Sequence, residues 1–490
     1  MNLKVTSLTF KSSFCILFFS QIFVYLLIFG PLSLNKIGLD INLFGDFPSY
    51  WLFDFSSIKV ILGQHRTFGF PLIIKIYRSI DYDLTFWPKF IYIFFSLSNL
   101  FLFYSFNRIN LDKIFSLFFL LGLTVSQSLL VYLTWWTELL GISFLIITLG
   151  LLFLSIKTNK TYYYLLFSII LFFCYQIRPS FVIFAALPVL FCVSNYLFFN
   201  KNLYLKKITF FSFFPLIIFI IIRYFLIGSF GLVSFNSNIA ATALVHLTED
   251  QIPLLKTENQ KIAKSFLERK RKLPYPCNLD LNQDQISYFN RGENLAYKGQ
   301  IVYGQYPCWN MYQSTAWLEL IKINLNIEPF PNNKKKNLVA WEHVPTLANF
   351  WQIKSIVKKN VEIDDQLINF SNDVIKINYK QILKKIIKSP VNLMKLQRDK
   401  NGNLLIFYII MILPVFFFIK QHEIKNKNHK YEFALTFSFL IITIPNLIII
   451  SVYANGDPRV VVLQTFYLIP IFMSYLIFLI HTNLNKKIEV

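Results

Sequence analysis

The 490-residue chain is short of acid, of glycine and of cysteine. Asp and Glu number 26 against 48 Lys and Arg, and charged residues of both signs make up only 15% of the sequence. A chain so thin in charge and 55% hydrophobic carries more apolar surface than soluble cores of this length bury, so lipid is its expected solvent. The 15 glycines form neither a Walker loop nor a dinucleotide-binding fingerprint, and no His-Glu-x-x-His pair is present, so nucleotide and zinc-hydrolase chemistry lack support. The alternation of a membrane barrel is also missing, which leaves helices as the spanning elements. A net charge of +22 would suggest nucleic acid in a soluble chain, but no nucleic-acid-reading pattern accompanies it. Of five cysteines, Cys15, Cys174 and Cys192 lie in apolar runs. Cys277 and Cys308 each follow Tyr-Pro in a long polar segment and are a candidate disulfide pair.

What the sequence does have is hydrophobic runs, each near the ~20 residues that carry a helix across a bilayer core. They fall at roughly 14–29, 86–105, 114–133, 139–155, 162–177, 181–199, 208–227, 403–420, 433–453 and 462–481. The first follows Lys4 and Lys11 and lacks a small-residue cleavage site, which reads as an uncleaved anchor with a cytoplasmic start. Alternate threading then places five short connections inside: Arg108/Lys113, Lys157/Lys160, Lys201/Lys206/Lys207, Lys420/Lys425/Lys427/Lys430 and the tail with Lys486/Lys487. Each is basic, as the positive-inside rule requires.

The expected fold is therefore an all-α membrane protein of about ten transmembrane helices in three parts. An N-terminal transmembrane module (1–227) contains a first outer loop (32–85), an extracytoplasmic loop domain covers 228–402, and a C-terminal transmembrane module covers 403–490. In the first outer loop Pro48 and Pro71 each open a short amphipathic stretch, predicting juxtamembrane helices. In the loop domain, expected to be helical and irregular, Ile375, Tyr379, Ile382, Leu383 and Ile386 recur at helical spacing between lysines, predicting a basic helix on the outer interface. The Arg269-Lys270-Arg271-Lys272 cluster reads as a solvated face.

Charges cost energy in a bilayer, so those retained near the spans invite a reason. Glu138, Arg178, Arg223 and Arg459 all fall at the outer ends of the threaded spans, joined there by Asp46 and Arg66 of the first loop. Four arginines and two carboxylates at one level describe a site for an anionic group, and a lipid phosphate fits. Simpler readings stand beside this one: Arg178 and Arg223 snorkelling to headgroups, Asp46 capping a helix, and Trp135-Trp136 anchoring the interface. Asp81-Tyr82-Asp83 has a spacing that can hold a divalent metal with a phosphate, against a plain polar boundary at the start of a span, so Asp81 and Asp83 are the weaker metal alternative.

Gly45-Asp46-Phe47-Pro48-Ser49-Tyr50, followed by Arg66-Thr67-Phe68-Gly69-Phe70-Pro71, resembles the first-loop pattern G-D-S-x-x-Y … R-T-P-G-Y-P of GT-C membrane glycosyltransferases. That superfamily includes the protein O-mannosyltransferases and the lipid A aminoarabinose transferase. Thr137-Glu138, Arg178-Pro179, Arg223 with Gly228-Ser229-Phe230-Gly231-Leu232, and Gly456-Asp457-Pro458-Arg459 fall in the order of that family's later landmarks. The pattern departs at Phe47, Phe68, Phe70 and Val460, leaving the charged positions intact.

The resemblance implies a GT-C-like bundle that transfers a sugar from a polyprenyl-phosphate donor to a glycan, lipid or protein acceptor on the extracytoplasmic face, with inversion. It implies Asp46 as the general base, Arg66, Arg178, Arg223 and Arg459 as holders of the lipid phosphate, Glu138 as a group orienting an arginine or a sugar hydroxyl, and Tyr50 as a stacking residue. No cofactor is required on this reading. The expected setting is a multi-pass protein of a bacterial inner membrane with both termini cytoplasmic. The alternatives are a flippase or transporter, or a polymerase, handling polyprenyl-linked glycans. Transporters tend to place their polar groups near mid-bilayer.

Overall fold

A backbone in lipid has no water to bond, so each N–H must find a carbonyl of its own segment, and hydrophobic runs become helices. The computed structural model describes residues 9–30, 50, 53–64, 66–81, 85–132, 136–233, 241–271, 294–297, 300–303, 315–317, 319–320, 323, 360–383, 430–453 and 467–488. Helix α1 (Phe10–Phe29) begins at Thr9, whose hydroxyl oxygen accepts from the Ser12 N–H at 3.2 Å. Two short helices follow, α2 (Ile58–Gly63), capped by Ser57, and α3 (Gly69–Arg78). Then come α4 (Trp87–Arg108), α5 (Lys113–Tyr132), α6 (Trp136–Thr158) and α7 (Thr161–Ile177). A 3-10 stretch, Pro179–Ala186, leads into α8 (Leu187–Phe199), and α9 (Leu205–Ile227) follows.

Among the described residues five stretches are long and apolar enough to cross a membrane: Phe10–Phe29, Trp87–Arg108, Thr137–Thr158, Pro179–Phe199 and Leu205–Ile227. Shorter apolar helices cover Lys113–Gln127, Thr161–Ile177 and Tyr431–Thr443. Among the described residues each hydrophobic run identified in the sequence falls on helix, to within a terminal residue; 133, 403–420 and 462–466 lie outside the described residues. The run at 181–199 is divided, its first turns being 3-10 rather than α.

Ring contacts set the directions of the helices. Phe94 meets Phe144 and Phe106 meets Phe153, each pair 5.3 Å apart, so α4 and α6 run parallel. The thiol of Cys174 reaches the Gly141 carbonyl at 3.5 Å, so α6 and α7 run antiparallel. Tyr164 meets Phe211 at 5.6 Å and Phe172 meets Phe219 at 5.5 Å, so α9 runs parallel to α7, and the Ser168 hydroxyl donates to the Phe211 carbonyl at 2.7 Å. One end of the bundle therefore holds the starts of α4 and α6 and the ends of α7 and α9. The opposite end is tied by polar contacts: Asp112, whose carboxylate caps α5, donates its own N–H to Glu432 at 2.6 Å, and Lys207 donates to Asn159 at 3.2 Å.

A second, separate core gathers residues distant in sequence. The 3-10 segments Ala241–His246 and Glu249–Leu254 and helices α10 (Thr257–Lys270) and α11 (Asn360–Ile377) enclose Leu244, Phe266, Trp317, Leu320, Leu367 and Phe370. Its polar contacts are specific. Gln251 and Asn378 exchange two side-chain hydrogen bonds at 2.9 and 3.0 Å, and Asn259 donates to Asp373 at 2.5 Å.

Three expectations about this region change. The helix foreseen at 375–388 is broken: α11 stops at Ile377, Asn378 is drawn inward by Gln251, and helix resumes only at 379–383. Beyond the break Tyr379 and Leu383 are more than half exposed, while Ile375 and Ile382 pack on the core. The basic cluster is not a uniformly solvated face, because Lys270 is buried and Arg269 bonds Glu319 at 3.0 Å. A hairpin also stands where helix or irregular chain was expected, β1 (Asn294–Tyr297) antiparallel to β2 (Gln300–Tyr303), with Asn294 opposite Tyr303.

Helices α12 (Lys430–Tyr453) and α13 (Leu468–Ile488) complete the bundle. Tyr431 of α12 stacks on Phe191 of α8 at 6.0 Å, and Phe115 of α5 meets Phe478 of α13 edge-on at 6.4 Å.

Candidate functional site

The polar centre of the bundle is built from two helix ends. Glu138 lies in the first turn of α6, where a carboxylate complements the positive end of the helix dipole. Arg178 follows the last residue of α7, where a guanidinium complements the negative end, and its own N–H caps the Cys174 carbonyl at 3.2 Å. Antiparallel packing of the two helices sets these charges side by side. Arg178 Nη1 donates to Glu138 Oε1 at 2.5 Å and to Thr137 Oγ1 at 3.3 Å, while the Thr137 hydroxyl donates to the other Glu138 oxygen.

Enclosure is unequal across this pair. The Glu138 side chain is 0% exposed and that of Arg178 is 19% exposed. Glu138 is therefore an internal counter-ion, and the Arg178 side chain keeps a minor exposed part, its Nε being buried. Burying both charges has a desolvation cost that the pair alone need not recover, so stability alone is a poor reason to keep it.

The first-loop segment is seated against the last turn of α7, just before Arg178. An added Cβ on Gly69 would stand 2.6 Å from the Gln176 carbonyl carbon and 2.7 Å from its oxygen, both main-chain atoms, so only glycine permits the approach. Phe68 fixes the same segment from the side, its ring packed among Phe172, Phe173 and Phe219. Pro71, expected to open a helix, sits in the first turn of α3, which buries Phe70 and Ile74. The Arg66 guanidinium lies 5.0 Å above the Tyr50 ring, and Tyr50 meets Phe70 edge-on at 4.9 Å. Arg66 and Tyr50 are thus placed by aromatic packing, in the cation–π arrangement that suits a guanidinium.

A second glycine seats the chain just beyond Arg178. A Cβ on Gly141 would fall 2.5 Å from the Phe181 ring. Phe181 opens the 3-10 stretch, so this contact fixes the direction in which the chain leaves Arg178.

Arg223 lies at the same end of the bundle and is more fully enclosed. Its side chain is fully buried. Nε donates to the Leu62 carbonyl at 2.9 Å, and Nη1 donates to Gly231 at 3.0 Å and Phe230 at 3.4 Å. It ties α2 and the chain after α9 to the helix that carries it.

Tyr50, Arg66, Glu138 and Arg178 thus share one end of the bundle, with Arg223 clamping main chain nearby. Asp46, Arg459, Asp83, Cys277 and Cys308 lie outside the described residues. Asp81 accepts from the Phe86 N–H at 2.8 Å at the entrance to α4. Burial, and then the neighbouring Asp81 carboxylate, raise the Tyr77 hydroxyl above its ordinary pKa. Among the described residues no group of three or more His, Cys, Asp and Glu is placed to hold a metal.

Gln176 was overlooked in the sequence, although a glutamine in the apolar run Phe172-Phe173-Cys174-Tyr175-Gln176-Ile177 was a visible signal. It is fully buried, and neither its amide oxygen nor its nitrogen has a hydrogen-bond partner among the described residues. Compared with known proteins, the chain matches no family model, no curated protein and no solved structure.

Proposed function

We propose that the chain is an integral membrane glycosyltransferase that moves a sugar from a polyprenyl-phosphate carrier to an acceptor hydroxyl at the end of the bundle where Glu138 and Arg178 meet. On the alternate threading of about ten spans, that end faces away from the cytoplasm. The observation that carries the reading is Arg178, 19% exposed and held by a wholly buried Glu138, two residues after the Gln176 main chain on which Gly69 is seated. Its arginines and aromatics stand at one end of the bundle, which favours an interfacial site over a mid-bilayer transport path.

The chemistry follows from a donor that brings its own leaving group. Asp46 takes the proton of the acceptor hydroxyl, the acceptor oxygen bonds to the anomeric carbon from the face opposite the phosphate, and the carbon–oxygen bond to phosphate breaks. Polyprenyl phosphate leaves with the electron pair. General-base help of this kind contributes about 10²- to 10⁴-fold in rate. Arg178 and Arg66 are disposed to hold the phosphate, since guanidinium donors meet phosphate oxygens where negative charge develops. Glu138 orients Arg178, Tyr50 orients Arg66, and Arg223 holds the surrounding main chain. The step itself needs no metal.

The direct test incubates the purified protein with a panel of polyprenyl-phosphate sugars and measures release of polyprenyl phosphate. Asp46→Asn is expected to abolish release while leaving the protein inserted and able to bind carrier lipid. Full activity in that variant would remove Asp46 from the mechanism, and no release from any donor by the wild type would refute the reading as a whole.

A further inference from the structure

We infer that Gln176 is the residue that recognises a hydroxyl group of the transferred sugar, a role that rests on the glycosyltransferase reading and adds to it a determinant of donor specificity. The premise is an unsatisfied amide. A buried side chain whose donor and acceptor both lack partners is destabilising, and native structures keep few of them without a reason. Gln176 has both its Oε1 and its Nε2 in that condition among the described residues, and the buried Nε of Arg178, two residues on, shares it.

The kind of group that completes the amide follows from its chemistry. Phosphate oxygens accept but do not donate, so a phosphate satisfies Nε2 and leaves Oε1 unpaired. A polyprenyl chain satisfies neither. A sugar hydroxyl donates and accepts at once, and one hydroxyl or a neighbouring pair completes both atoms. Position points the same way. Two residues of chain span at most about 7 Å, so the Gln176 and Arg178 backbones stand no further apart than the width of one sugar ring and its phosphate.

The amide is also held in place. The Gly69 main chain presses on the carbonyl and Cβ of Gln176, the latter 2.9 Å from the Cβ that glycine lacks. The base of the side chain is thereby fixed by the same segment that carries Arg66. A site built to hydrogen-bond a hydroxyl rejects an analogue lacking it strongly, because the site's polar atoms are then left unpaired.

The test compares wild type with Gln176→Met, close in shape and without the amide. The donor from the panel with the highest turnover is presented alongside its monodeoxy analogues, each lacking one hydroxyl, with polyprenyl phosphate alone as a competitor. Wild type is expected to discriminate against one analogue by roughly 10⁴-fold in kcat/KM. Gln176→Met is expected to lose that discrimination and to be inhibited by polyprenyl phosphate as wild type is. It should also melt at or above the wild-type temperature without ligand, because an unpaired buried amide has been removed.

Three results would overturn the inference: retained discrimination in the variant, weaker competition by polyprenyl phosphate, or a lowered melting temperature, which would assign the amide a structural role. Discrimination that follows the acceptor rather than the donor would move Gln176 to the other substrate and also refute it. If wild type releases no polyprenyl phosphate from any donor, the enzymatic reading fails first and this inference falls with it. The melting comparison separates the two failures.

Discussion

Removing Arg178 should destabilise the protein more than removing its partner, and the difference follows from unequal burial. Arg178→Met leaves the Glu138 carboxylate wholly enclosed without the cation that stands 2.5 Å away. Breaking a buried pair from one side costs about 3 to 5 kcal/mol. Because Arg178 is itself 19% exposed, water reaches part of the pair and the lower figure applies. Glu138→Gln keeps a hydrogen-bonding group inside and leaves an arginine that water already touches, so about 1 to 2 kcal/mol is expected. In the double variant no buried carboxylate remains, and most of the loss should be recovered, with a coupling of at least about 1.5 kcal/mol. Thermal unfolding of the detergent-solubilised protein reads this as a fall of roughly 3 °C for Arg178→Met, about half of that or less for Glu138→Gln, and partial recovery in the double variant. Equal losses in the two single variants, or losses that simply add, would refute the picture of an internal carboxylate serving a partly exposed arginine.

Two further changes probe how the site is held. Gly69→Ala drives a methyl group into the main chain of Gln176, which cannot yield as a side-chain tip can; a loss of about 1 to 3 kcal/mol in unfolding and a larger fractional loss of sugar transfer are expected. Wild-type melting in Gly69→Ala would show that the segment is not seated there. Arg223→Met strips hydrogen bonds from the carbonyls of Leu62, Phe230 and Gly231. It should lower stability by about 2 to 4 kcal/mol, and the protein that remains folded should bind polyprenyl phosphate with near wild-type affinity. Affinity lost without stability would return Arg223 to the phosphate.

Much of the bundle could be read from hydrophobicity alone, because a lipid-facing backbone admits one local solution and the ~20-residue length is set by the bilayer. The helix ends were legible where capping or charge marks them, as at Asp112, Glu138 and Arg178. The destination of a charge was not. Arg178 and Arg223 look alike in sequence, each an arginine at the end of an apolar run, yet one keeps an open edge and the other is spent on main-chain carbonyls. Nothing local separates them, since the carbonyls that Arg223 satisfies come from 161 residues away at Leu62 and from the chain just beyond its own helix. The second core was hidden for a similar reason. Its contributors are spread from Ala243 to Val374, and no window of sequence shows that Asn378 will be drawn in by Gln251 or that Lys270 will be enclosed.

The 3-10 stretch between Arg178 and α8 acts as a phase coupling. With three residues per turn, every third side chain lies directly above the last, and Phe181, Phe184 and Leu187 are accordingly all buried in one file. That file meets Gly141 at one level and Tyr467 at another. Each residue in such a stretch turns the chain by about 120°. Inserting or deleting a single residue between 179 and 186 would therefore turn α8 by a third of a revolution relative to Arg178, which the packing of α7 on α6 holds beside Glu138. A three-residue change would preserve the angle and move α8 along the axis by about 6 Å. Tolerance to length changes in this segment should thus follow a rule of three, and the phase of α8 against the rest of the bundle is the quantity that rule protects.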